Sequence, residues 1–526
     1  MVPMQKTGEK PLTERQRAAH LLSRLAFGPR PGQVDEVLRT GLDRWVTAQL
    51  DPSRIPAPGL NDRLSAFKTL SMTPRDLREA FLALRKENPT PEELQELNRK
   101  KQQPKIELLR SILLRAVYSP RQLQEVLCNF WRNHFNVSYT KGGPVDFFIP
   151  DYERTVVQAH AVGSFQDLLF ASAKHPAMLY YLDNALSRRP ATKAELSKIK
   201  EDARRRTGSK VRAEEAVELA SQRGLNENYA RELMELHTLG VDNFYHQNDV
   251  VQVAEALTGW TIDYQGGNAE YGFLFRPYLH VDGAKKVLGR IFREKKLRDA
   301  VREGEGVLTM LAHHRGTADF LSRKLCTYFV NDDPARKDVE KAAGAFLKSG
   351  GDVRVVLASI VGSPDFYAPG NFRAKFKTPF EFVVSALRAV SAEVSNSLTL
   401  LKRISEMGEP VYHCDPPTGY SDRAEAWLDP GVMALRWQFA VDLAEGRVPG
   451  VRIPESFHAG MEEQPPPLWQ KILTNKVLPG GVGERTRHAL TAITDDYLSK
   501  SRRPRLDRLG PQLLGLLLGS PEFQSQ

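Results

Sequence analysis

The chain has 526 residues, a net charge of +10 and 41% hydrophobic residues, too long for one ordinary core, so two or three packed units or one large multi-layer helical domain is expected. Cys128, Cys326 and Cys414 lie far apart with no CxxC spacing, which argues against a disulfide framework and a thiolate zinc site. The positive charge permits an acidic partner without naming one, and no apolar run reaches the roughly 18 residues of a membrane span.

In chain order, the opening "MVPMQKTGEKPLTERQ" is polar and lacks the apolar stretch of an export signal. As it stands this reads as a cytoplasmic chain, or as a periplasmic or secreted one if the start is truncated. Helix starts then recur in one idiom, a hydroxyl residue followed by proline at the first helical position, at Thr73-Pro74, Thr90-Pro91, Ser119-Pro120 and Thr378-Pro379. Thr13 with Gln16 makes a capping box without the proline. Apolar residues at helical spacing follow, such as Leu77, Phe81 and Leu84. The predicted class is mainly α, a large multi-helix protein with one small β-hairpin or irregular excursion near residues 271–289.

"VLCNFWRNHFNVSY" places Phe130 and His134 four apart and Trp131 and Phe135 likewise, so His134 sits on an aromatic helical face. "KHPAMLYYLDN" ends an apolar helix on Asp183-Asn184, either as a cap or as a carboxylate presented to a cleft. Residues 186–223 form a charged insertion with 11 Lys+Arg against 6 Asp+Glu. A solvated, partly helical segment is the expectation there, and its lack of aromatics argues against nucleic acid.

"LNENYARELMELHTLG" carries the densest chemistry. Asn226 or Asn228 is the cap and Gly240 the left-handed stop of a helix of about three turns. Tyr229, Leu233, Leu236 and His237 share an apolar side, while Glu227, Arg231 and Glu235 form i, i+4 pairs. Asn228, Glu232 and Glu235 fall on one stripe, so an amide and two carboxylates converge beside an apolar wall, a costly placement unless they are paired, metal-bound or kept for acid–base work. "QNDVVQVAEALTGW" reads as a helix opened by an Asp249/Gln252 capping box and closed at Gly259.

Between Tyr271 and Gly289, Phe273 and Phe275 alternate and Asp282-Gly283 signals a turn, with His280 and Asp282 leaving it together. His134, His237, His280 and Asp282 are therefore candidate ligands for a divalent metal, although no HExxH-type spacing supports them. "LASIVGSPDF" and "LGLLLGSPEF" echo one another through glycine stops and Ser-Pro restarts. The Pro/Gly-rich stretch 409–431 is a long loop, a type more often functional than idle. The organisation expected is 1–185 helical, 186–223 the insertion, 224–330 central with the candidate site, and 331–526 helical around that loop. No Walker loop, GxGxxG, GxSxG elbow or zinc-finger spacing is present.

"NFWRNHFNV", "HPAMLYYLDN", "NENYARELMELHTLGV", "DVVQVAEALTGW", "MGEPVY…PPTGY…WL" and "LLLGSPEF" occur in this order. Together, from about Ala18 to the C-terminus, they resemble the large bacterial family catalogued as domain of unknown function 1800. The resemblance implies a mostly helical protein and leaves the activity open. It also implies that members are commonly exported and often encoded beside a second family that looks like a secreted sulfatase or phosphatase relative. This sequence departs from the family pattern at Tyr420, where tryptophan is usual, and at Arg132.

Three functions remain as expectations. The first is an acid–base or metal-assisted hydrolase acting on an envelope polymer or other extended substrate. In it Glu232 and Glu235 are acid and base, His237, His134, His280 and Asp282 are relays or ligands, and Asp183, Asn226 and Asn228 orient. The second is a non-catalytic scaffold or chaperone-like partner of a companion exported protein, its polar phrases forming a buried network. The third is nucleic-acid binding through the basic insertion.

Overall fold

The computed structural model describes residues 10–84, 89–222, 224–241, 243–264, 269–500 and 505–526. Residues 1–9, on which the reading of an unexported start partly rests, lie outside them, as does Arg223 of the insertion. The fold is mainly α, 65% helical, with three two-stranded antiparallel sheets among the described residues. No helix among these residues is long and apolar enough to cross a membrane.

The local grammar of caps sets most helix starts. Thr13, Thr73, Thr90 and Thr378 each accept from the backbone of the third helical residue, whose side chain bonds back to the cap. Each such box contributes about 1 kcal/mol. Ser119-Pro120 behaves differently: its helix begins at Gln122, because the Ser119 hydroxyl accepts from Arg121 N–H and holds that residue in a turn. The two Ser-Pro echoes do restart short helical turns, Pro364–Tyr367 and Pro521–Gln524.

One contiguous hydrophobic core runs from Ala18 to Phe523. At its centre, helix Pro379–Ala389 is buried on every face, the pattern of an element enclosed by others rather than laid on a surface. Its Arg388 guanidinium, enclosed at 1% exposure, is satisfied by the carbonyls of Gly28 at 2.9 Å and Val117 at 3.0 Å. Helix Gln122–His134 buries Phe130 and Trp131, and the Trp131 indole N–H donates to the Ala161 carbonyl at 3.0 Å. Burying each such ring contributes about 2–3 kcal/mol.

The excursion is built differently from a single hairpin. Phe273–Phe275 pairs back onto Trp260–Ile262, and Lys285–Val287 pairs forward onto Arg290–Phe292. Asp282-Gly283 thus joins two separate ladders. Phe273 packs edge-on against Trp260 at 5.2 Å, which draws this strand to the upstream helix end. The charged insertion folds as two helices, Lys193–Thr207 and Lys210–Gln222, packed on one another. No residue of the first is buried.

Candidate functional site

Helix Glu227–Glu235 is shorter than its sequence pattern, and Gly240 stands left-handed several residues beyond it. The Thr238 hydroxyl takes the Leu233 carbonyl at 2.7 Å, and the His237 N–H takes that of Glu232 at 3.1 Å, which tightens the chain into a turn. The Asn226 side chain caps the helix by accepting from Tyr229 N–H, and its amide ties to the Leu182 carbonyl at 2.8 Å. Asn228 is exposed and its side chain makes no hydrogen bond among the described residues.

The two carboxylates have unlike surroundings. Glu235 accepts from the Tyr245 hydroxyl at 2.7 Å and pairs with Arg231 at 3.4 Å, while Glu227 and Arg231 both reach Gln247 rather than each other. Glu232 is half-buried, with no side-chain hydrogen bond or ion pair among the described residues. Burial and then the neighbouring Glu235 push its carboxyl above the ordinary range, against a smaller pull from Arg231.

His237 and His134 come together, ring centroids 6.2 Å apart, with Phe135 packed against both. His134 Nε2 faces the His237 carbonyl at 3.2 Å and its Nδ1 faces the Lys324 amino group at 3.3 Å. Lysine can only donate, so Nε2 carries the proton and the ring is neutral. Burial and then Lys324 hold His237 down at about 3, and the same causes lower His134 strongly. His237 Nε2 is buried without a hydrogen-bond partner among the described residues.

The remaining candidates lie apart. His280 is buried with Glu303 at 3.2 Å and Lys285, while Asp282 faces solvent. Lys285 donates to Glu303 at 2.6 Å; burial opposes ionisation of Glu303, and the bonds from His280 and Lys285 outweigh it. Asp183 is exposed, left-handed at φ 61°, and paired with Lys141 at 2.7 Å. Among the described residues no group of three or more His, Cys, Asp or Glu side chains is arranged to hold a metal ion. Asp249 of the predicted Asp249/Gln252 box instead accepts from His246 N–H at 2.9 Å, so the helix starts one turn earlier than that box requires.

The 409–431 stretch is clamped beside this region by two asparagines. Asn133 donates to the Tyr420 carbonyl at 2.8 Å and accepts from its N–H at 2.6 Å, and Asn136 donates to the carbonyls of Cys414 and Pro416. The Tyr181 hydroxyl donates to the Asp415 carbonyl at 2.6 Å. Burial raises that phenol, followed by the charges of Cys414, Asp415 and Glu232. Gly419, at φ +72°, lies so close that a Cβ would collide with the oxygens of Asn133. Gly419→Ala is expected to cost about 1–3 kcal/mol in the backbone alone and to release the loop; urea midpoints and limited proteolysis at 409–431 read both effects.

Behind the loop is a cavity of about 40 Å³, lined in part by Arg132, Glu409, Tyr412 and Asp422, with room for a few waters at most. Arg132 forks onto both oxygens of Glu153 at 3.0 Å, and the Tyr412 hydroxyl adds a third bond at 2.6 Å. Burial opposes the charge on Glu153, and Arg132 outweighs it. Glu409, which accepts from Phe380 N–H at 2.7 Å, has no such cation in contact, and burial lifts it to about 8.

A family model described as "Protein of unknown function (DUF1800)" matches residues 20–525. The chain belongs to the DUF1800 family. No curated protein and no solved structure matches it. In this DUF1800 protein the FWRNHFN phrase works as a clamp on the PPTGY loop, a role hidden from sequence because Asn133 and Tyr420 are 287 positions apart. Sequence reasoning also missed Glu153, Lys324, Glu409 and Asp422. Glu153 and Lys324 each sit beside other charged residues in helical text, Asp151 and Arg154 in "FFIPDYERTVV" and Arg323 in "FLSRKLCTYF", so no local signal separates the buried charge from its solvated neighbours.

The depressed histidines set an acid limit on the DUF1800 fold. His20 and His237 both lie at about 3, against 6.5 for a free histidine. The unfolded chain binds more protons between those values, so stability is full above 6.5 and is lost as pH falls toward 3. Each buried ring contributes on the order of a few kcal/mol over that window. Calorimetric melts from pH 7 to 4 should show a steep fall that flattens in His237→Leu; an equal slope in both proteins contradicts the assignment.

Proposed function

We propose that this DUF1800 protein is an acid–base hydrolase acting on an envelope polymer or other extended substrate, with Glu232 as the proton donor and Glu235 as its partner base. One observation carries the reading: two carboxyls three residues apart are held in unlike environments, Glu235 engaged by Tyr245 and Arg231, Glu232 half-buried, raised and unengaged. Splitting a carboxyl pair in this way is how one site holds an acid and a base at the same pH. His237 and His134 stand together as neutral imidazoles just beyond the helix, and Tyr181 and Asn136 fix the 409–431 loop. Asn226 orients the helix as its cap, and Asp183 lies at the exposed edge.

The metal-assisted form of this reading has little support. Both ring nitrogens of His134 are engaged, His280 is committed to Glu303 and Lys285, and Asp282 is exposed, which leaves His237 Nε2 as the free imidazole donor of the set. The test is a screen of chromogenic esters, glycosides and phosphoesters with the parent and Glu232→Gln. A rate carried equally by both ends the proposal.

A second reading has its own observation. The Arg132–Glu153–Tyr412 cluster is internally satisfied and sealed, as expected of a network that specifies packing in a scaffold or chaperone-like partner of a companion exported protein. Nucleic-acid binding through the insertion is weaker, because Arg188, Arg189 and Arg205 are paired within it.

A further inference from the structure

Beside helix Val145–Tyr152 lies a cleft of about 160 Å³ with aromatic walls. Phe147, Phe148, Tyr264 and Tyr271 line it, with Arg78 at its rim. The walls support one another: Phe148 packs against Tyr264 at 6.5 Å and against Tyr180 at 6.4 Å, Tyr264 meets Tyr271 edge-on at 6.2 Å, and Phe81 backs Phe147 at 5.9 Å. The Tyr264 ring remains 40% exposed, so the cleft opens to solvent.

Its polar atoms are uncommitted. The Arg78 guanidinium lies over the Tyr271 ring at 4.8 Å and makes no hydrogen bond or ion pair among the described residues. The hydroxyls of Tyr264 and Tyr271 likewise have no protein partner among them. Neighbouring Arg75, by contrast, is held by Glu79 and Glu270. Ring faces, one free planar donor and two free hydroxyls therefore surround a space close to the ~150 Å³ that admits a single six-membered ring.

Those features select among ligands. A cationic group is disfavoured by Arg78, which already occupies the Tyr271 face. A purely apolar ring would bury the guanidinium and hydroxyls unpaired, at a cost of a few kcal/mol. A polyproline segment needs an extended groove that takes successive residues, whereas this cleft holds one ring. A pyranose offers an apolar C–H face to the aromatic walls and equatorial hydroxyls or a carboxylate to Arg78 and the phenols.

We propose that the cleft is a saccharide subsite that seats one pyranose ring of an oligosaccharide on Tyr264 and Phe147 and hydrogen-bonds it through Arg78. Tyr180 backs the wall of this subsite through its contact with Phe148. Binding at the cleft does not require Glu232, and the two proposals fail separately.

The test is isothermal titration calorimetry of the full chain with chitohexaose, cellohexaose and hexagalacturonate, and with a proline-rich decapeptide for comparison. The parent should bind at least one hexasaccharide with a sub-millimolar Kd. Tyr264→Ala and Arg78→Ala should each weaken that binding about tenfold or more, roughly the 1.4 kcal/mol per decade of affinity, with unchanged melting temperatures. Glu232→Gln should keep the parent affinity. The proposal is overturned if no hexasaccharide binds the parent, if binding survives Tyr264→Ala, or if Tyr264 governs the peptide instead.

Discussion

Glu232→Gln should lower the turnover of whichever chromogenic substrate the parent cleaves by roughly 10²–10⁴-fold, the usual contribution of a positioned acid, while the melting temperature stays at that of the parent. Glutamine keeps the volume and loses only the transferable proton, and the carboxyl it replaces makes no hydrogen bond whose loss would unfold the helix. The pH profile gives a sharper check. A donor must be protonated, so kcat/KM falls as pH rises through the Glu232 pKa, which burial and Glu235 raise. Glu235→Gln removes that like charge and should move the alkaline limb to lower pH as well as reduce the rate. If the limb stays in place, Glu232 is not the titrating acid.

Glu153→Ala should destabilise the fold by about 3–5 kcal/mol, the cost of leaving a buried cation without its counter-ion. The Arg132 and Glu153 side chains are 8% and 2% exposed, so bulk solvent does not replace the lost partner. The double replacement Arg132→Met/Glu153→Leu should recover most of the loss, because it removes both desolvated charges. Tyr412→Phe should cost about 1.5–3 kcal/mol through its bond to the charged carboxylate. Urea unfolding of the four proteins decides the matter: equal midpoints for Glu153→Ala and the double variant would show that the pair is not a mutually neutralised unit. A full loss of activity at parental stability in the double variant would place this cluster in the chemistry and not in the packing.

Local signals carried the fold further than the site. Thr13, Thr73, Thr90 and Thr378 announce their helices because a cap is a contact between residues three apart. Ser119-Pro120 misleads for the same reason: the hydroxyl satisfies Arg121 instead of a helical turn. Phe273 and Phe275 show their alternation in sequence, but their strand partners are chosen by Trp260, which alternation does not encode. In the site, His134 and His237 are legible as histidines on apolar faces, yet their adjacency spans 103 positions. The stripe through Asn228, Glu232 and Glu235 lies wholly within helix Glu227–Glu235, and the exposure of Asn228 at its first turn leaves the half-buried carboxyls as a pair. Glu153 and Tyr412, 259 positions apart, have no local signature at all.

The enclosed helix Pro379–Ala389 has a bearing on how the protein is made. Arg388 is satisfied by carbonyls 360 and 271 positions earlier in the chain. While the ribosome is still short of that codon, the N-terminal helices lack the element that fills their centre, and their apolar faces are open to solvent. Folding therefore waits on synthesis of most of the chain, a high-contact-order assembly in which early segments stay sticky for tens of seconds at ordinary elongation rates of about 5–20 residues per second. For such a nascent chain, protection of residues before Arg388 is a requirement of manufacture as much as of the finished structure.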